Sequence, residues 1–405
     1  MKSGSSFLLA ARQREIAELE QLARTSELVG GIGLFIHELQ RERGIANVYL
    51  SSQGVRFGAQ RAQQAAASQV AELRVRAHFE RLDTDAGRMN TGARLFSRVA
   101  VVVHGLEGLP RLRERIEQRT LSPLDATDTF VRLVGLLLAV IFEAADAATD
   151  PEISRALVAL FNFMQGKEFA GQERALGARA FAAGRVDGPM QQQWRHLIES
   201  QQACFQAFAD FSDPQVVRMD LASRDPSVLA EVERLRRIGC NSRGELDAAC
   251  SADWYDACTR RIDAMKMVED QLAHQLRALC ETRIAQARAE LHDQREMFAH
   301  LEAEASSQAG RTRYGPQLER SMLELVQEQQ RRLQAMSDEL DAVRSTLNER
   351  KLVERAKGLL MAHRAMTEDE AYKALRQMAM NQNKRLVDVA NAVLSLADVL
   401  PGGVR

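Results

Sequence analysis

The 405-residue sequence has few of the residues that interrupt helices or build aromatic cores. It holds only 8 prolines, 4 tyrosines and 2 tryptophans. Leu, Ala, Glu, Gln and Arg dominate instead, and strong helix formers run almost throughout. The composition therefore predicts an all-α protein, and the length allows two or three domains.

Long apolar runs and paired cysteines are also absent. The most apolar run, residues 133–142, is about half the length of a membrane span, and the N-terminal segment lacks the apolar core of a signal peptide. The 5 cysteines form no Cys-x-x-Cys pair, so we interpret them as reduced core residues. These features predict a cytoplasmic protein that makes no membrane contact.

Signals for catalysis or cofactor binding are lacking as well. The sequence has no metal-ligand cluster, no nucleophile beside a base and no glycine-rich phosphate loop, and its 8 histidines are scattered. We therefore expect neither enzyme activity nor a cofactor. The formal net charge of -1 means that any signal for a polyanionic partner must be local.

The pattern along the chain predicts three zones, residues 1–303, 304–349 and 350–405. The first zone consists of amphipathic helices separated by short helix-breaking motifs such as Asp150-Pro151 and Asp225-Pro226. Residues 306–316 form the clearest linker.

The middle zone carries a heptad repeat. Two sets of residues recur every seven positions and interleave at 4-3 spacing, which is typical of a coiled-coil seam. The pattern fits an intermolecular coiled coil, and hence a homodimer, as well as a helix packed on its own chain. The two sets are Met322, Gln329, Met336 and Val343, and Val326, Leu333, Leu340 and Leu347.

Within the first zone, one segment echoes another. The stretch ERGIANVYLSSQG begins at Glu42, and the stretch ERALGARAFAAG begins at Glu173, with charged, small and apolar positions in register. The echo indicates two related helical bundles side by side.

Two arginines fall on the apolar faces of their helices. At about 100° per residue, Arg43 lies inside an apolar arc while Arg41 points away. Arg236 lies on a second apolar stripe, and Arg237 falls off it. Because an unpaired buried arginine is costly, each must find an anion. That anion is either a local carboxylate or a small planar oxyanion held by two converging guanidiniums. The local carboxylates are Glu38, Glu42 and Glu233.

Three segments of this zone resemble the signatures of the nitrate- and nitrite-sensing (NIT) domain. They are LFIHELQRERGIANVYLSSQG, MQGKEFAGQERALGARAFAAG and WYDACTRRIDAMKMVEDQL. The resemblance implies two up-and-down four-helix bundles, with nitrate or nitrite held between them by arginines. It assigns Arg43 as one anion ligand and Arg236 as the second, with Arg237 as the alternative. Arg174 matches the second motif and is either a further ligand or structural.

The last zone reads as a three-helix bundle. Its first helix ends near His363, and Thr367 and Glu370 form a capping box that opens the second, which runs to about Gln382. The third helix covers about residues 386–399. The apolar pattern assigns the core to Ala356, Leu360, Ala371, Leu375, Ala379, Val387 and Ala390.

From residue 350 onward, the sequence carries 10 basic and 6 acidic residues, a local charge of +4. A local charge of +4 is equally compatible with a phosphate-binding surface and with a helical face that is only solvated. The segments AKGLLM, TEDEAYKALRQMAM and RLVDVANAVL closely resemble the ANTAR domain of transcription antiterminators. The resemblance implies recognition of RNA hairpins, whose loop bases are unstacked. The candidate RNA contacts are Lys357, Arg376, Met380, Asn381, Lys384 and Arg385, although Met380 also fits the core.

Together, the two resemblances predict a nitrate- or nitrite-responsive transcription antitermination regulator. Anion binding draws the bundles into one arrangement, and the long helix before the linker moves. The C-terminal module then binds leader mRNA hairpins, prevents the terminator from forming, and so acts on the transcribing RNA polymerase through the RNA. Two alternatives stay open, an RNA-binding regulator that responds to another signal or partner, and a structural helical scaffold.

Overall fold

The structure is a computed structural model that describes residues 4–82, 93–242, 244–307, 316–364, 366 and 368–399. In this part of the chain all regular structure is helical, apart from an isolated bridge between Arg185 and Glu245, which confirms the all-α prediction. The helices are α1 Gly4–Ser51, α2 Gly58–Glu80, α3 Ala93–Glu107, α4 Leu109–Glu117, α5 Pro123–Ala147, α6 Pro151–Ala182, α7 Gly188–Phe211, α8 Pro214–Ser223, α9 Pro226–Asn241, α10 Cys250–Ser307, α11 Pro316–Arg364, α12 Glu368–Gln382 and α13 Leu386–Val399.

Aspartate followed by proline starts three of these helices. Asp150, Asp213 and Asp225 each accept backbone N–H hydrogen bonds from the first turn that follows, and the next proline occupies a position that needs no N–H donor. These predicted helix boundaries are therefore confirmed as helix starts. The predicted linker falls mostly on residues 308–315, which lie outside the described residues.

The chain forms two compact units, Met1–Ser337 and Asp338–Arg405. In the first unit, α1 packs against α2, α5 and α10, and α3 packs against α4 and α5. Helix α6 packs against α7, α9 and α10, and it also contacts α1 and α5. We call α1–α5 the first group of helices and α6–α10 the second group; α1 and α6 are in direct contact, and α10 packs on both of them. The four-helix count of each group and the three-zone division stay predictions.

An aromatic cluster forms the core of the second group of helices. The rings of Trp194 and Trp254 meet edge to face with centroids 5.1 Å apart, and Phe181 contacts both. Glycine at 177 and 239 lets the backbone approach the two indoles, because a Cβ at either position would overlap a tryptophan ring. The core thus depends on two missing side chains as much as on two large ones.

Four of the five cysteines lie in the core, as predicted. All five thiols are free, and all but the partly exposed Cys250 are buried. No helix in the described ranges combines the length and the apolar character that a membrane crossing requires.

The second unit contains the end of α11 with α12 and α13. The seven core residues predicted from the apolar pattern are all buried. Helix α11 runs on to Arg364, α12 ends at Gln382, and α13 covers Leu386–Val399, and residues of all three helices share one buried core. The predicted N-cap, Thr367, lies outside the described residues.

Helix α11 is continuous through the predicted heptad region, but the seam is unevenly covered. Leu340 and Val343 are buried, whereas Val326 and Leu333 are exposed, and so is the neighbouring Leu323. The chain itself therefore covers only the later part of the described seam.

We expect Gly239→Ala to lower the free energy of unfolding by about 1–3 kcal/mol, because the added methyl group must displace the Trp194 ring. Urea unfolding followed by tryptophan fluorescence measures the change. Gly135→Ala is the matched control, since this mid-helix glycine of α5 has nothing within 4 Å of an added Cβ. There the methyl group should stabilise the helix by about 0.5–1 kcal/mol. Equal effects at the two positions would contradict the packing argument.

Candidate functional site

Two consecutive glutamate–arginine pairs are buried at corresponding places on α1 and α6. They are Glu42-Arg43 and Glu173-Arg174, the starting residues of the two echoing segments. Consecutive helical residues point about 100° apart, so each glutamate and its arginine face different neighbours.

Each of these glutamates is held by an arginine fork from its own group of helices. Glu42 accepts hydrogen bonds from Nε and Nη2 of Arg113 on α4, at 2.8 and 3.0 Å. Glu173 accepts them from Nε and Nη2 of Arg236 on α9, at 2.7 and 2.6 Å. Such bidentate pairs fix geometry strongly. The sequence echo is therefore repeated in the side-chain contacts.

The two arginines of the pairs lie where α1 and α6 meet, each over a glycine of the opposite helix. A Cβ on Gly171 would lie 2.6 Å from Nη2 of Arg43, and one on Gly44 would lie 3.1 Å from Nη2 of Arg174. The missing side chains make room for both guanidiniums. We call Arg43, Gly44, Gly171 and Arg174 the arginine crossing.

Arg43 has a buried counter-ion on α6. Its Nη1 donates to Oε1 of Glu168 at 2.5 Å, and its Nη2 donates to Oε2 at 3.3 Å, with both side chains only 2% exposed. Gln40 and Gln172 donate to the same carboxylate at 2.8 and 2.9 Å. The prediction of a carboxylate partner is confirmed, but the choice of a local one was wrong, because Glu168 lies 125 positions away along the chain.

Arg174 is buried without such a counter-ion. Its Nη1 donates to Oγ1 of Thr259 at 3.0 Å, and its guanidinium stacks on the ring of Tyr255 at 5.1 Å. Among the residues that the structure describes, no carboxylate lies within ion-pair distance of Arg174, which is 5% exposed. An isolated buried guanidinium is unfavourable, so this position calls for an anion.

Two arginines, rather than one, lie close to the carboxylate of Glu173. Arg261 of α10 lies 3.8 Å from its carboxylate and donates to Gln201 at 3.0 Å, while Arg236 holds the near side. Burial, and then repulsion by Arg236, lowers the pKa of Arg261 to about 10, so it stays charged at neutral pH. Burial alone would raise the pKa of Glu173, but hydrogen bonds and charge from Arg236 hold it below its usual value.

A second polar group is formed by residues of α1, α6 and α10. Lys167, fully buried, places its Nζ 2.5 Å from Oε2 of Glu269, and Lys266 lies 3.3 Å from Oε1 of the same carboxylate. His37 faces this group. Burial, and then the charge of Lys167, lowers the pKa of His37 to about 2, with smaller effects from Lys266, Arg41 and Arg174. His37 is therefore neutral wherever the protein functions.

The second unit presents an exposed basic surface at the end of α12 and the turn that follows. Met380 is 67% exposed, so the alternative that placed it in the core was wrong. Arg385 donates to Glu349 at 3.2 Å, and Asn381 accepts from Gln377 at 2.8 Å. The exposed residues are Arg376, Met380, Asn381, Lys384 and Arg385.

Comparison with known families matches both units. Residues 34–277 match the family described as nitrate and nitrite sensing, and residues 341–394 match the ANTAR domain. The chain is 34% identical to the nitrate regulatory protein of Klebsiella oxytoca over 387 residues, which are 95% of this chain and 93% of that protein. The chain belongs to the nitrate- and nitrite-sensing (NIT) family.

Two further similarities bear on the fold and on the C-terminal unit. A solved structure described as the NasR transcription antiterminator superposes with a TM-score of 0.63 at 32% identity, over 96% of this chain and 98% of that one. The transcriptional regulatory protein PdtaR of Mycobacterium tuberculosis (strain CDC 1551 / Oshkosh) is 39% identical over 72 residues, 18% of this chain and 35% of that protein.

The structure places the four arginines predicted for the NIT region differently. It brings Arg43 and Arg174 to the arginine crossing, and it holds Arg236 on Glu173. Helical phase ordered the neighbours correctly, because Arg236 faces inward whereas the Arg237 side chain is 76% exposed and pairs with Glu233.

Several residues around the crossing were missed by sequence reasoning. Glu168 lies in the second NIT segment, and Tyr255, Thr259 and Arg261 lie in the third. The one signal available was that those segments carry charged and hydroxyl residues within otherwise apolar helices. That signal does not say which of them meet.

We expect the stability of the wild-type chain to fall more steeply below pH 6.5 than that of the His37→Gln variant. The unfolded imidazole binds a proton near pH 6.5, whereas the folded one resists it down to about pH 2. This contribution is complete above pH 6.5 and is lost as the pH falls. At about pH 5.5 the difference between the two proteins should have changed by about 1.4 kcal/mol relative to neutral pH. Urea unfolding at both pH values measures it, and parallel pH profiles would refute the assignment.

Proposed function

We infer that this chain is a nitrate- and nitrite-responsive transcription antitermination regulator. The family membership of residues 34–277 and the ANTAR match of residues 341–394 supply a sensor and an RNA-binding output in one chain. The observation that carries the sensor part is Arg174, a buried guanidinium without a carboxylate beside Arg43.

The proposed anion site is the arginine crossing. Nη2 of Arg43 and Nη2 of Arg174 face the two glycines at the contact of α1 and α6, where a small planar oxyanion can accept from both forks. In this proposal Arg236 keeps Glu173 in place and thereby positions Arg174, the next residue in the chain. Arg237 is the weakest of the four candidates because its side chain is exposed.

The proposed switch is a shift between two arrangements of the sensor helices. Helix α10 packs on both α1 and α6, so a change at their contact bears on it directly. Arg332 of α11 donates to Glu15 of α1 and to Glu290 of α10, at 3.1 and 2.8 Å, and so ties α11 to both helices. Since α11 continues into the output unit, it is the proposed route of transmission. The anion acts only through its different affinity for the two arrangements.

The proposed output is the binding of leader mRNA hairpins, which prevents the terminator from forming and so acts on the transcribing RNA polymerase in the cytoplasm. The exposed Arg376, Lys384 and Arg385 supply cations for the phosphates, and Met380 and Asn381 lie beside them. Lys357 is mostly buried, and we keep it in the proposal because a lysine can bury its stem while its ammonium reaches the surface. No catalytic step is proposed.

The proposal includes a homodimer. Val326 and Leu333 occupy one heptad set of α11 yet stay exposed, with Leu323 beside them, so the described chain leaves this part of the seam uncovered. A second copy of the same helix would bury these side chains in a coiled coil.

We expect Arg174→Ala to weaken nitrate binding about tenfold to hundredfold, the size of a hydrogen-bonded contact to a charged group. The variant should stay folded, because no carboxylate loses its partner. Isothermal titration with nitrate and with nitrite measures the affinity. Arg237→Ala, which removes an exposed arginine, is the control and should titrate as the wild type does. If Arg174→Ala also titrates like the wild type, the site lies elsewhere.

We expect Arg376→Ala and Lys384→Ala to weaken leader-hairpin binding and to reduce the slope of log affinity against log salt by about one phosphate contact each. Filter binding over a salt series measures both, with and without nitrate. Arg331→Ala removes an exposed arginine of α11 in the first unit and serves as the control. Absence of hairpin binding would favour the scaffold alternative. Hairpin binding that nitrate does not change would favour a regulator that responds to another signal.

A further inference from the structure

Among the residues that the structure describes, Glu168 is the one acidic group in direct contact with a guanidinium of the arginine crossing. Arg43 donates two hydrogen bonds to it, and Gln40 and Gln172 donate one each. Four donors from three side chains saturate the carboxylate and fix its position. Glu168 is therefore a permanent part of the site rather than a group that an incoming anion must displace.

Most of the charges beside the crossing lie in ion pairs of their own. Glu42 is neutralised by Arg113, and Glu173 is held by Arg236. Arg261 lies 3.8 Å from the same Glu173 carboxylate and donates to Gln201, so this second cluster keeps one positive charge of its own. Lys167 and Lys266 share Glu269, and Lys266 also contacts Asp270. What remains at the crossing is Arg43 and Arg174 against Glu168, a net charge of +1.

We propose that Glu168 fixes this charge at +1 and thereby selects monovalent oxyanions over divalent ones such as sulfate. The inference rests on the proposed anion site. A nitrate or nitrite ion brings the three charges of the crossing to neutrality, whereas a dianion gives the crossing a net charge of -1 in a buried place, which is less favourable. Glu168 is thus a specificity-determining residue that sets charge rather than a ligand.

The test is Glu168→Gln, which keeps the shape of the side chain and raises the charge of the crossing to +2. The probes are nitrate and sulfate, titrated calorimetrically at matched ionic strength so that surface screening is equal. We expect the ratio of sulfate to nitrate affinity to rise about tenfold or more, since one buried charge interaction is at least that large. Glu168→Asp keeps the charge and should keep the preference for nitrate.

Glu42→Gln is the matched control. Its carboxylate is equally buried and also holds an arginine fork, but that fork belongs to Arg113 and not to the crossing. Its sulfate-to-nitrate ratio should equal that of the wild type. Should Glu168→Gln fail to fold, Gln172→Lys adds the same charge from a partly exposed neighbour and must shift the ratio in the same direction.

The outcomes separate this inference from the proposed function. If the wild type binds nitrate and both charge-raising variants keep its ratio, the inference is overturned and the nitrate site stands. If the wild type binds no nitrate, the proposed function and the inference fall together. A ratio that shifts equally in Glu42→Gln overturns the inference too, because any buried carboxylate would then have the same effect.

Discussion

The sensor unit depends on one constraint, the cost of burying guanidinium groups where two long helices meet. Arg43 and Arg174 both lie at the contact of α1 and α6, and the carboxylate of Glu168 pairs with Arg43 but not with Arg174. Glycine on each helix allows the approach, since a side chain at Gly171 would collide with Arg43. A packed apolar contact could not be reset by an ion, whereas a buried positive charge can be neutralised by one.

The repeated glutamate–arginine pair divides two tasks between neighbouring residues. The glutamate turns toward its own group of helices and is held by an arginine from α4 or α9, while the arginine turns toward the other group. Two tryptophans help to fix the Glu173-Arg174 pair. Trp194 donates to Glu173 and Trp254 donates to the backbone carbonyl of Arg174, each at 3.0 Å. Folding of the individual groups therefore orients the guanidiniums before any ligand arrives.

Much of the fold and part of the site could be predicted from the sequence by local physical rules. Helix starts, the C-terminal core and the inward phase of Arg43 and Arg236 follow from capping and periodicity. The ion-pair partner of Arg43 does not follow from these rules, because Glu168 lies far along the chain and only tertiary packing brings it to Arg43. Helical phase also did not predict the direction of the Arg174 side chain. Helix α6 is buried on nearly every side, so it has no single apolar stripe that defines an inward face. Met380 was ambiguous because a methionine suits a core and a binding surface equally.

The charge balance bounds the size of the proposed switch. Moving a two-state equilibrium from one per cent to ninety-nine per cent requires about 5.5 kcal/mol of differential binding. One buried ion pair is worth about 3–5 kcal/mol when one partner is removed, which bounds what a single nitrate at Arg174 can supply. A single crossing therefore shifts the population only in part. In the proposed homodimer, two crossings coupled through a coiled coil at the exposed Val326 and Leu333 would together supply more than this requirement.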